Sequence, residues 1–370
     1  MAKYRLLYLV ADLRRVGPTN QTLNIICNAN ESLDGVLVLS LFDEPKDSLK
    51  DLYEKKGVQC KSLSLQRNNF IVAFVRLFQF LRKNEIELVH SYGVKPDVLL
   101  FFISKFFRIR YVLTQRCIPI EDYPLRMNKI VGVLIARIHT FVLKHSKNVV
   151  TCSKFLAKVM QEKYGCTNIT PIQNGIDVNR FKRIHNDALA GQFDFLKGSV
   201  VFVSTGLFLD RKHNDEIIDA FIQANIDNAY LLMLGDGPLF DSIRNRYSED
   251  KSILFLGNVP NVADYLSISD FFVSASDSEG LPNAVLEAIA CGNPVILSDI
   301  PQHMEILREL PNVGRSFALH DKKAMAEIML DFAKHKDGFA DVAADLKESP
   351  FTMKKMGSKY QNYYRSLLNG

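Results

Sequence analysis

Two carboxylates flank the predicted start of a short helix in the sequence Ser278–Val295. Glu279 lies before Pro282, and Glu287 lies one to two helical turns after it. Proline at the first helical position favours a helix start, because its φ is already fixed and its missing N–H is not needed there. The sequence Gly292-Asn293-Pro294 predicts the end of the same helix.

The start of this helix could bind an anion. Its first N–H groups, on Asn283, Ala284 and Val285, point out of the helix N-terminus and form a seat for a phosphate. Asn283 and Glu287 share one helix face, so the second carboxylate lies just beyond that phosphate. A carboxylate accepts hydrogen bonds from two hydroxyl groups, as in a ribose or another sugar. This combination predicts a nucleotide-sugar site, although the two glutamates alone would fit a solvated amphipathic helix equally well.

This segment closely resembles the E-x7-E signature of glycosyltransferase family 4, whose members are retaining enzymes with the GT-B fold. The resemblance implies that Glu279 holds and orients the transferred sugar, and that Glu287 holds the ribose hydroxyls. It also implies donor contacts along the segment between them, at Gly280, Leu281, Pro282, Asn283 and Ala284.

A basic loop follows a predicted strand and begins at Gly206. Lys212 matches the family's diphosphate-binding lysine, but the position of the family's arginine is occupied by Leu207. Arg211 could supply the second cation. Such cations stabilise the charge that develops on a leaving diphosphate, and the resemblance implies that no metal is required. We therefore predict catalytic roles for Glu279, Lys212 and Arg211; the alternative is a pair of basic residues on a solvated loop.

Two further turns resemble family segments that contact the donor. Gly235 lies in Leu234-Gly235-Asp236-Gly237-Pro238, which is similar to the family's G-D-G-P turn. Asn258-Val259-Pro260 resembles a strand end that meets the nucleobase through its backbone. Gln302 or His303 could also touch the donor, but the sequence favours neither.

Three residues of the first half are predicted to face the donor or the acceptor. Gly17 lies in a loop that resembles the family's glycine-bearing loop over the donor phosphates. His90 matches a strand end where a histidine is as often a structural partner as a substrate contact. Arg116 occupies the position where many relatives place a histidine near the transferred sugar. We expect His90 and Arg116 to contact the acceptor or the sugar.

The elements that must position these residues alternate between apolar strand-like runs and helix-like segments, which predicts parallel α/β layers. At 370 residues the chain exceeds one usual core, so we expect two domains. The predicted fold is GT-B: two Rossmann-like doubly wound domains facing an interdomain cleft. We place an acceptor-binding domain at residues 1–175 and a donor-binding domain at residues 176–351, with a C-terminal helix, 352–370, packing back on the first domain.

Ten strands are predicted from the apolar runs. They are Arg5–Ala11, Gly35–Leu41, Leu88–Ser91, Tyr111–Thr114, Asn148–Thr151, Ser199–Thr205, Tyr230–Gly235, Ser252–Gly257, Phe271–Ala275 and Pro294–Leu297.

Charge is distributed unevenly along the chain. Residues 1–180 contain 27 Lys and Arg against 15 Asp and Glu, whereas the whole chain has a net charge of only +5. Apolar segments with basic residues, Phe70–Lys83, Leu99–Arg110 and Ile130–Lys144, favour peripheral contact with an anionic membrane, although packing onto the first sheet explains most of their apolar residues. We expect a cytoplasmic protein on the inner face of the plasma membrane and no nucleic-acid partner.

Cysteine and histidine patterns do not indicate a disulfide framework or a metal. The six cysteines are scattered without a C-x-x-C pair, and the eight histidines form no H-x-x-x-H pattern. We therefore expect reduced thiols, no metal and no cofactor, the nucleotide sugar being a substrate.

The sequence thus predicts a retaining, metal-independent transfer of a hexose or N-acetylhexosamine, from a donor that is UDP-linked rather than GDP-mannose. The family and the basic first half indicate a lipid-linked or surface-polysaccharide acceptor, such as a capsule, O-antigen or exopolysaccharide intermediate. Two alternatives stay open. One is a non-catalytic nucleotide-sugar-binding scaffold subunit, which Leu207 and Arg116 favour; the other is a sugar-nucleotide epimerase of the same fold, against which the signature helix argues.

Overall fold

The structure is a computed structural model that describes residues 3–30, 33–66, 69–184 and 186–369. Its internal contacts divide the chain into two compact units. The first comprises Met1–Gly175 with Met353–Gly370, and the second comprises Ile176–Thr352.

The first unit is built on a parallel sheet. Its strands among the described residues are β1 (Lys3–Val10), β2 (Val36–Phe42), β3 (Gln59–Leu65), β4 (Glu85–Tyr92), β5 (Arg110–Gln115), β6 (Val149–Thr151) and β7 (Ile169–Pro171). They are ordered β3-β2-β1-β4-β5-β6-β7. Every residue of β2 is buried, as expected for a parallel strand covered on both faces.

Helices cover the first sheet. They are α1 (Gly17–Ala29), α2 (Lys50–Lys55), α3 (Phe70–Lys83), α4 (Val94–Phe106), α5 (Pro119–Arg126), α6 (Lys129–His145) and α7 (Lys154–Glu162). Within the described part of the chain, no helix is both long enough and apolar enough to cross a bilayer.

The second unit repeats this plan. Its described strands are β8 (Val200–Thr205), β9 (Ala229–Leu234), β10 (Ile253–Gly257), β11 (Phe271–Ser274), β12 (Val295–Ser298) and β13 (Gly314–Phe317). They are ordered β10-β9-β8-β11-β12-β13, and each adjacent pair is parallel. This is the doubly wound order, so the predicted fold class is confirmed.

Helices of the second unit lie before, between and after these strands. They are α8 (Asp187–Gln192), α9 (Asn214–Ala224), α10 (Phe240–Arg246), α11 (Val262–Ser267), α12 (Asn283–Ala290), α13 (Pro301–Glu309), α14 (Lys322–Lys334) and α15 (Val342–Glu348). Short 3-10 turns are Asp194–Leu196, Asp210–Lys212 and Lys336–Gly338.

The predicted start of α12 needs a correction of one residue. Pro282 is the N-cap, with φ −75° and ψ 102°, and Asn283 is the first helical residue. An N-cap has extended rather than helical ψ, and the fixed φ of proline fits that conformation as well as the first helical position.

The chain ends in α16 (Met353–Asn369), which belongs to the first unit and packs on α1. The contact is close at Gly357, where a Cβ atom would lie 2.3 Å from the backbone oxygen of Asn28. Tyr360 and Tyr364 of the same helix are buried in the core of the first unit. Glycine at position 357 therefore lets two helix backbones approach.

Candidate active site

The second sheet has its topological switch point between β8 and β11, because the chain winds outward in opposite directions from these two strands. In open α/β sheets, ligands bind at the carboxyl ends of the strands beside such a point. The loop after β8 contains Arg211 and Lys212, and the loop after β11 contains Glu279. The predicted catalytic residues therefore lie at the expected place in this sheet.

Side chains from these two loops meet in a compact ionic cluster. Lys212 Nζ donates a hydrogen bond to Glu279 Oε1. Arg211 Nη1 lies 3.5 Å from Glu279 Oε2 and donates to the backbone oxygen of Ser278 at 2.6 Å. The Lys212 and Glu279 side chains are only 18% and 12% exposed, so water screens this pair weakly.

Glu279 is held in its ionised form. Burial opposes ionisation, but the charges of Lys212 and Arg211 and the lysine hydrogen bond outweigh it and lower the pKa of Glu279 to about 2. Before a donor binds, Lys212 and Arg211 are therefore paired with the ionised Glu279 carboxylate. A diphosphate could take over that role and release the Glu279 carboxylate to accept sugar hydroxyls.

Glu287 has the opposite character. Burial raises the pKa of Glu287 to about 7, and the positive charge of Arg180 only partly opposes this shift. The carboxyl group therefore titrates close to neutral pH in the unliganded protein. A role for Arg180 could not be predicted from the sequence, because its effect on Glu287 depends on folding of the segment that precedes β8.

The N-terminus of α12 lies between Glu279 and Glu287 in the chain and carries N–H donors. The backbone N–H of Leu286 donates to the backbone oxygen of Pro282 at 3.4 Å. The N–H groups of Ala284 and Val285 come earlier in the first turn of the helix. Gly280 is partly exposed, whereas Leu281 is buried. The buried side chain of Leu281 thus anchors the predicted donor segment just before the start of α12.

Glycines bring the β8 and β9 loops into close contact. Gly235 has φ +123°, and a Cβ atom there would lie 1.8 Å from the Gly206 backbone oxygen. Gly235 also donates to the Gly257 backbone oxygen at 2.7 Å, which ties the end of β9 to the end of β10. Asn258-Val259-Pro260 follows directly and is exposed at Asn258 and Pro260. The predicted donor-binding turns therefore line the same sheet edge as Lys212.

Gln302 and His303 lie behind Glu279. Gln302 Nε2 donates to the Glu279 backbone oxygen at 2.7 Å, and His303 Nδ1 lies 2.9 Å from the Ser298 backbone oxygen. Burial lowers the pKa of His303 to about 4, so the ring is neutral. Gln302 Oε1 and His303 Nε2 are buried and have no hydrogen-bond partner among the described residues. Both atoms are candidates for hydrogen bonds to substrate, which the sequence alone did not distinguish.

Leu207 departs from the family pattern and is 54% exposed. Because Arg211 contributes its guanidinium to Glu279, the cluster contains two cations despite this departure. Arg211 and Lys212 lie in the 3-10 turn Asp210–Lys212, which directs both side chains to one carboxylate.

The three residues singled out in the first unit have different environments. Gly17 is exposed and begins α1. His90 is buried, and its ring nitrogens contact the hydroxyl groups of Tyr364 and Thr114 at 2.7 and 2.5 Å. Burial lowers the pKa of His90 to about 3. Both nitrogens are therefore occupied within the first unit, and a sugar contact by His90 stays a prediction that requires this network to rearrange.

Arg116 follows β5 and is partly buried. Its guanidinium lies over the Tyr92 ring at 5.1 Å, and its Nη1 atom donates to Asn174 Oδ1 at 3.3 Å. Its Nε atom has no hydrogen-bond partner among the described residues. Arg116 thus retains one donor that a ligand could use.

Comparison with known proteins finds similar proteins along most of the chain. The profile of Glycosyltransferase Family 4 matches residues 36–180, and the profile of Glycosyl transferases group 1 matches residues 198–335. The chain is 24% identical over 379 residues to the O-antigen biosynthesis glycosyltransferase WclY of Escherichia coli, covering 98% of each chain. It is 25% identical over 324 residues to the E. coli UDP-Gal:alpha-D-GlcNAc-diphosphoundecaprenol alpha-1,3-galactosyltransferase, covering 81% of this chain and 79% of the relative.

A solved structure of similar fold is Anabaena Alr3699/HepE in complex with UDP, with a TM-score of 0.81 and 17% identity over 98% of this chain and 100% of that one. The fold and the matched profiles define the class, a glycosyltransferase with the GT-B fold. Within this class, the chain belongs to glycosyltransferase family 4.

Proposed function

We propose that this glycosyltransferase moves a hexose or N-acetylhexosamine from a UDP-sugar to a lipid-linked or surface-polysaccharide acceptor, with retention of anomeric configuration and without a catalytic metal. The observation that carries the proposal is the Arg211–Lys212–Glu279 cluster at the switch point of the second sheet. It supplies two cations for a diphosphate and one carboxylate for sugar hydroxyls. In this proposal residues 176–351 bind the donor and residues 1–175 bind the acceptor.

The cluster supports a mechanism in which the leaving group is stabilised electrostatically. The bond between the anomeric carbon and the diphosphate oxygen breaks, and its electron pair goes to that oxygen. Lys212, Arg211 and the α12 N-terminus stabilise the new charge. The acceptor hydroxyl forms its bond on the same face of the sugar, and its proton passes to the departing diphosphate.

The two carboxylates have separate roles in this mechanism. Glu279 accepts hydrogen bonds from the transferred sugar once the diphosphate has engaged Lys212. Glu287 accepts hydrogen bonds from the ribose hydroxyls, and these hydroxyls favour its ionised form because only the ionised form accepts at both oxygens.

Two relatives support the choice of donor and acceptor. HepE has been solved with UDP, and the related E. coli galactosyltransferase is named for UDP-Gal and a diphosphoundecaprenol-linked acceptor. WclY is named for O-antigen biosynthesis. These names favour a uridine donor and an acceptor that is linked to lipid or belongs to a surface polysaccharide.

An exposed apolar surface on the first unit supports peripheral membrane contact. On α6, Ile130 is 81% exposed, Leu134 59% and Phe141 52%, while Ala136 and Val142 on its other face are buried. The exposed residues recur at helical spacing and form one stripe. An apolar stripe of this kind inserts at the headgroup boundary of a bilayer.

Neighbouring helices extend the stripe and add charge. Ile71 on α3 and Phe106 on α4 are each 76% exposed. Helix α4 contacts both α3 and α6. Exposed cations among these apolar residues are Arg76, Lys105, Lys129, Arg137 and Lys144. Each Lys or Arg close to an anionic surface contributes about 1 kcal/mol.

Vesicle co-sedimentation tests this contact. Replacing Ile130 and Leu134 together by Glu should abolish binding to vesicles that contain anionic phosphatidylglycerol. The matched control is Ile222→Glu, since Ile222 is an exposed apolar residue (44%) of the second unit. Equal sedimentation of all three proteins, or binding insensitive to anionic lipid content, would contradict the proposed contact.

Point variants test the catalytic assignment. Lys212→Ala and Glu279→Ala should each reduce sugar transfer at least tenfold, which corresponds to about 1.4 kcal/mol of lost transition-state stabilisation. Lys323→Ala is the control, because Lys323 is a highly exposed lysine on α14. Near-normal turnover in both site variants would overturn the assignment.

The donor is identified first with a thermal-shift panel of UDP-glucose, UDP-galactose, UDP-N-acetylglucosamine and GDP-mannose, since a ligand that binds the native state raises the melting temperature. Product analysis then separates the alternatives. Donor binding without transfer or hydrolysis would favour a scaffold subunit, and an isomerised nucleotide sugar would favour an epimerase.

A further inference from the structure

Two histidines and a glutamate of the second unit converge beside the loop that carries Lys212. His213 follows Lys212 and precedes α9, Glu216 lies in the first turn of α9, and His320 lies between β13 and α14. One ligand atom from each of the three side chains lies within 4.8 Å of the other two. The sequence expectation of no metal depended on H-x-x-x-H spacing and therefore could not detect this group.

The distances match those of a zinc site. Glu216 Oε1 lies 3.0 Å from His320 Nδ1 and 3.6 Å from His213 Nδ1. Tetrahedral ligands at the usual Zn–N and Zn–O distances of about 2.0–2.1 Å are about 3.3 Å apart. These two distances between ligand atoms are thus within about 0.3 Å of that spacing. The third distance, between the two histidines, can adjust because the exposed His320 ring can move.

A carboxylate lies beside the other ring nitrogen of His213. Asp277 Oδ2 lies 3.4 Å from His213 Nε2, a buried atom without a hydrogen-bond partner among the described residues. The backbone N–H of Asp277 donates to the Arg211 backbone oxygen at 3.0 Å, so this aspartate is fixed to the loop that precedes His213. Asp277 therefore lies outside the coordination shell, where it could orient the His213 ring as outer-shell carboxylates do for ligating histidines, and a water molecule would complete a four-coordinate shell.

Both histidines have an uncommon backbone conformation. His213 has φ +48° and His320 has φ +68°, a left-handed conformation that non-glycine residues seldom adopt. His213 occupies the N-cap position of α9 but makes no capping hydrogen bond with its side chain. The two imidazole rings lie 4.7 Å apart and are perpendicular, so both can approach one ion without overlapping.

We propose that His213, Glu216 and His320 form a binding site for a divalent transition metal, with Zn²⁺ as the best-matched ion. Imidazole nitrogens and a carboxylate oxygen suit this ion. The bound ion joins the start of α9 to the loop before α14 and braces the turn that carries Lys212. This role is structural and independent of the proposed transfer reaction, in which the diphosphate is stabilised by side-chain cations.

The test uses the full-length protein with any histidine tag removed and metal stripped by chelator. Co²⁺ is titrated while the visible d–d bands of a low-symmetry cobalt site are recorded, and Zn²⁺ is then added as a competitor. Wild-type protein should develop these bands to saturation at one equivalent, and Zn²⁺ should abolish them. Zn²⁺ should also raise the melting temperature of the stripped protein.

Variants assign the bands to this site. His320→Ala and Glu216→Gln should weaken Co²⁺ binding at least tenfold and abolish the Zn²⁺-dependent rise in melting temperature. The matched control is His335→Ala, because His335 is another exposed histidine of the second unit that pairs with a carboxylate, Asp331. His320 is 54% exposed, so its replacement should leave the fold intact.

Two outcomes would overturn the proposal. One is the absence of cobalt bands in the wild-type protein. The other is wild-type Co²⁺ affinity in both His320→Ala and Glu216→Gln. Either would show that the cluster is only an ion pair between Glu216 and its histidines.

Discussion

Replacing Glu287 by Gln should stabilise the unliganded protein at high pH and weaken its binding of nucleotide. Burial raises the pKa of Glu287 from an ordinary 4.5 to about 7. Between these two pH values, Glu287 therefore keeps its proton in the native state and has lost it in the unfolded state. The stability contributed by the neutral carboxyl group is fully present below pH 4.5 and is lost as the pH rises toward 7.

The size of this loss follows from the two pKa values. Ionising Glu287 should cost the native state about 2–3 kcal/mol between pH 5 and pH 8, because each unit of pKa difference corresponds to about 1.4 kcal/mol. Gln has no charge to bury, so Glu287→Gln should not show this loss. In a unit of this size, about 2–3 kcal/mol corresponds to roughly 4–12 °C in melting temperature.

Differential scanning calorimetry from pH 5 to pH 8 measures the effect. The melting temperature of Glu287→Gln minus that of wild type should grow more positive as the pH rises, and this pH trend is free of any constant effect of the substitution. In parallel, UDP affinity of the wild type should increase through pH 7, because the ionised carboxylate accepts both ribose hydroxyls, and Glu287→Gln should bind weakly at every pH. Melting curves that shift in parallel at all pH values would refute the reasoning.

Two other perturbations follow from the same site. Gly235→Ala should destabilise the protein by at least about 2 kcal/mol, since its Cβ would lie 1.8 Å from the Gly206 oxygen at φ +123°; urea unfolding measures this, and Gly191→Ala, with open space around it, should be neutral or stabilising. Glu279 has the opposite pH dependence to Glu287: its pKa is lowered to about 2, so its contribution is present above pH 4.5 and is lost as the pH falls toward 2. Glu279→Gln should therefore show a smaller fall in melting temperature between pH 5 and pH 3 than wild type, and an equal fall would contradict the proposed ion pair.

The ten strands predicted from apolar runs all occur in the structure, with ends that differ by a few residues. Parallel strands covered by helices on both faces are continuously apolar, so their sequences are conspicuous. The strands that prediction missed, β3, β7 and β13, lie at sheet edges and are partly exposed. Their polar residues interrupt the apolar run, and only pairing with a neighbouring strand defines them.

Local sequence identified Glu279 and the α12 N-terminus as candidates through a short motif with a direct physical meaning, and resemblance to a family motif identified Lys212. It could not show that Lys212 and Glu279 form a pair, since 67 residues separate them. Sheet order brings them together: β8 and β11 are neighbours, so the loops that follow them meet.

The sequence alone determined the alternation of strands and helices, the class of fold and the chemical types available at the site, because these depend on patterns within a few helical turns. Tertiary structure decided the ionisation of the two glutamates, the occupied ring nitrogens of His90 and the convergence of His213 with His320. The physical reason is that burial and charge–charge interactions depend on distance in space. Residues far apart in the chain acquire those distances only when the sheets and helices have packed.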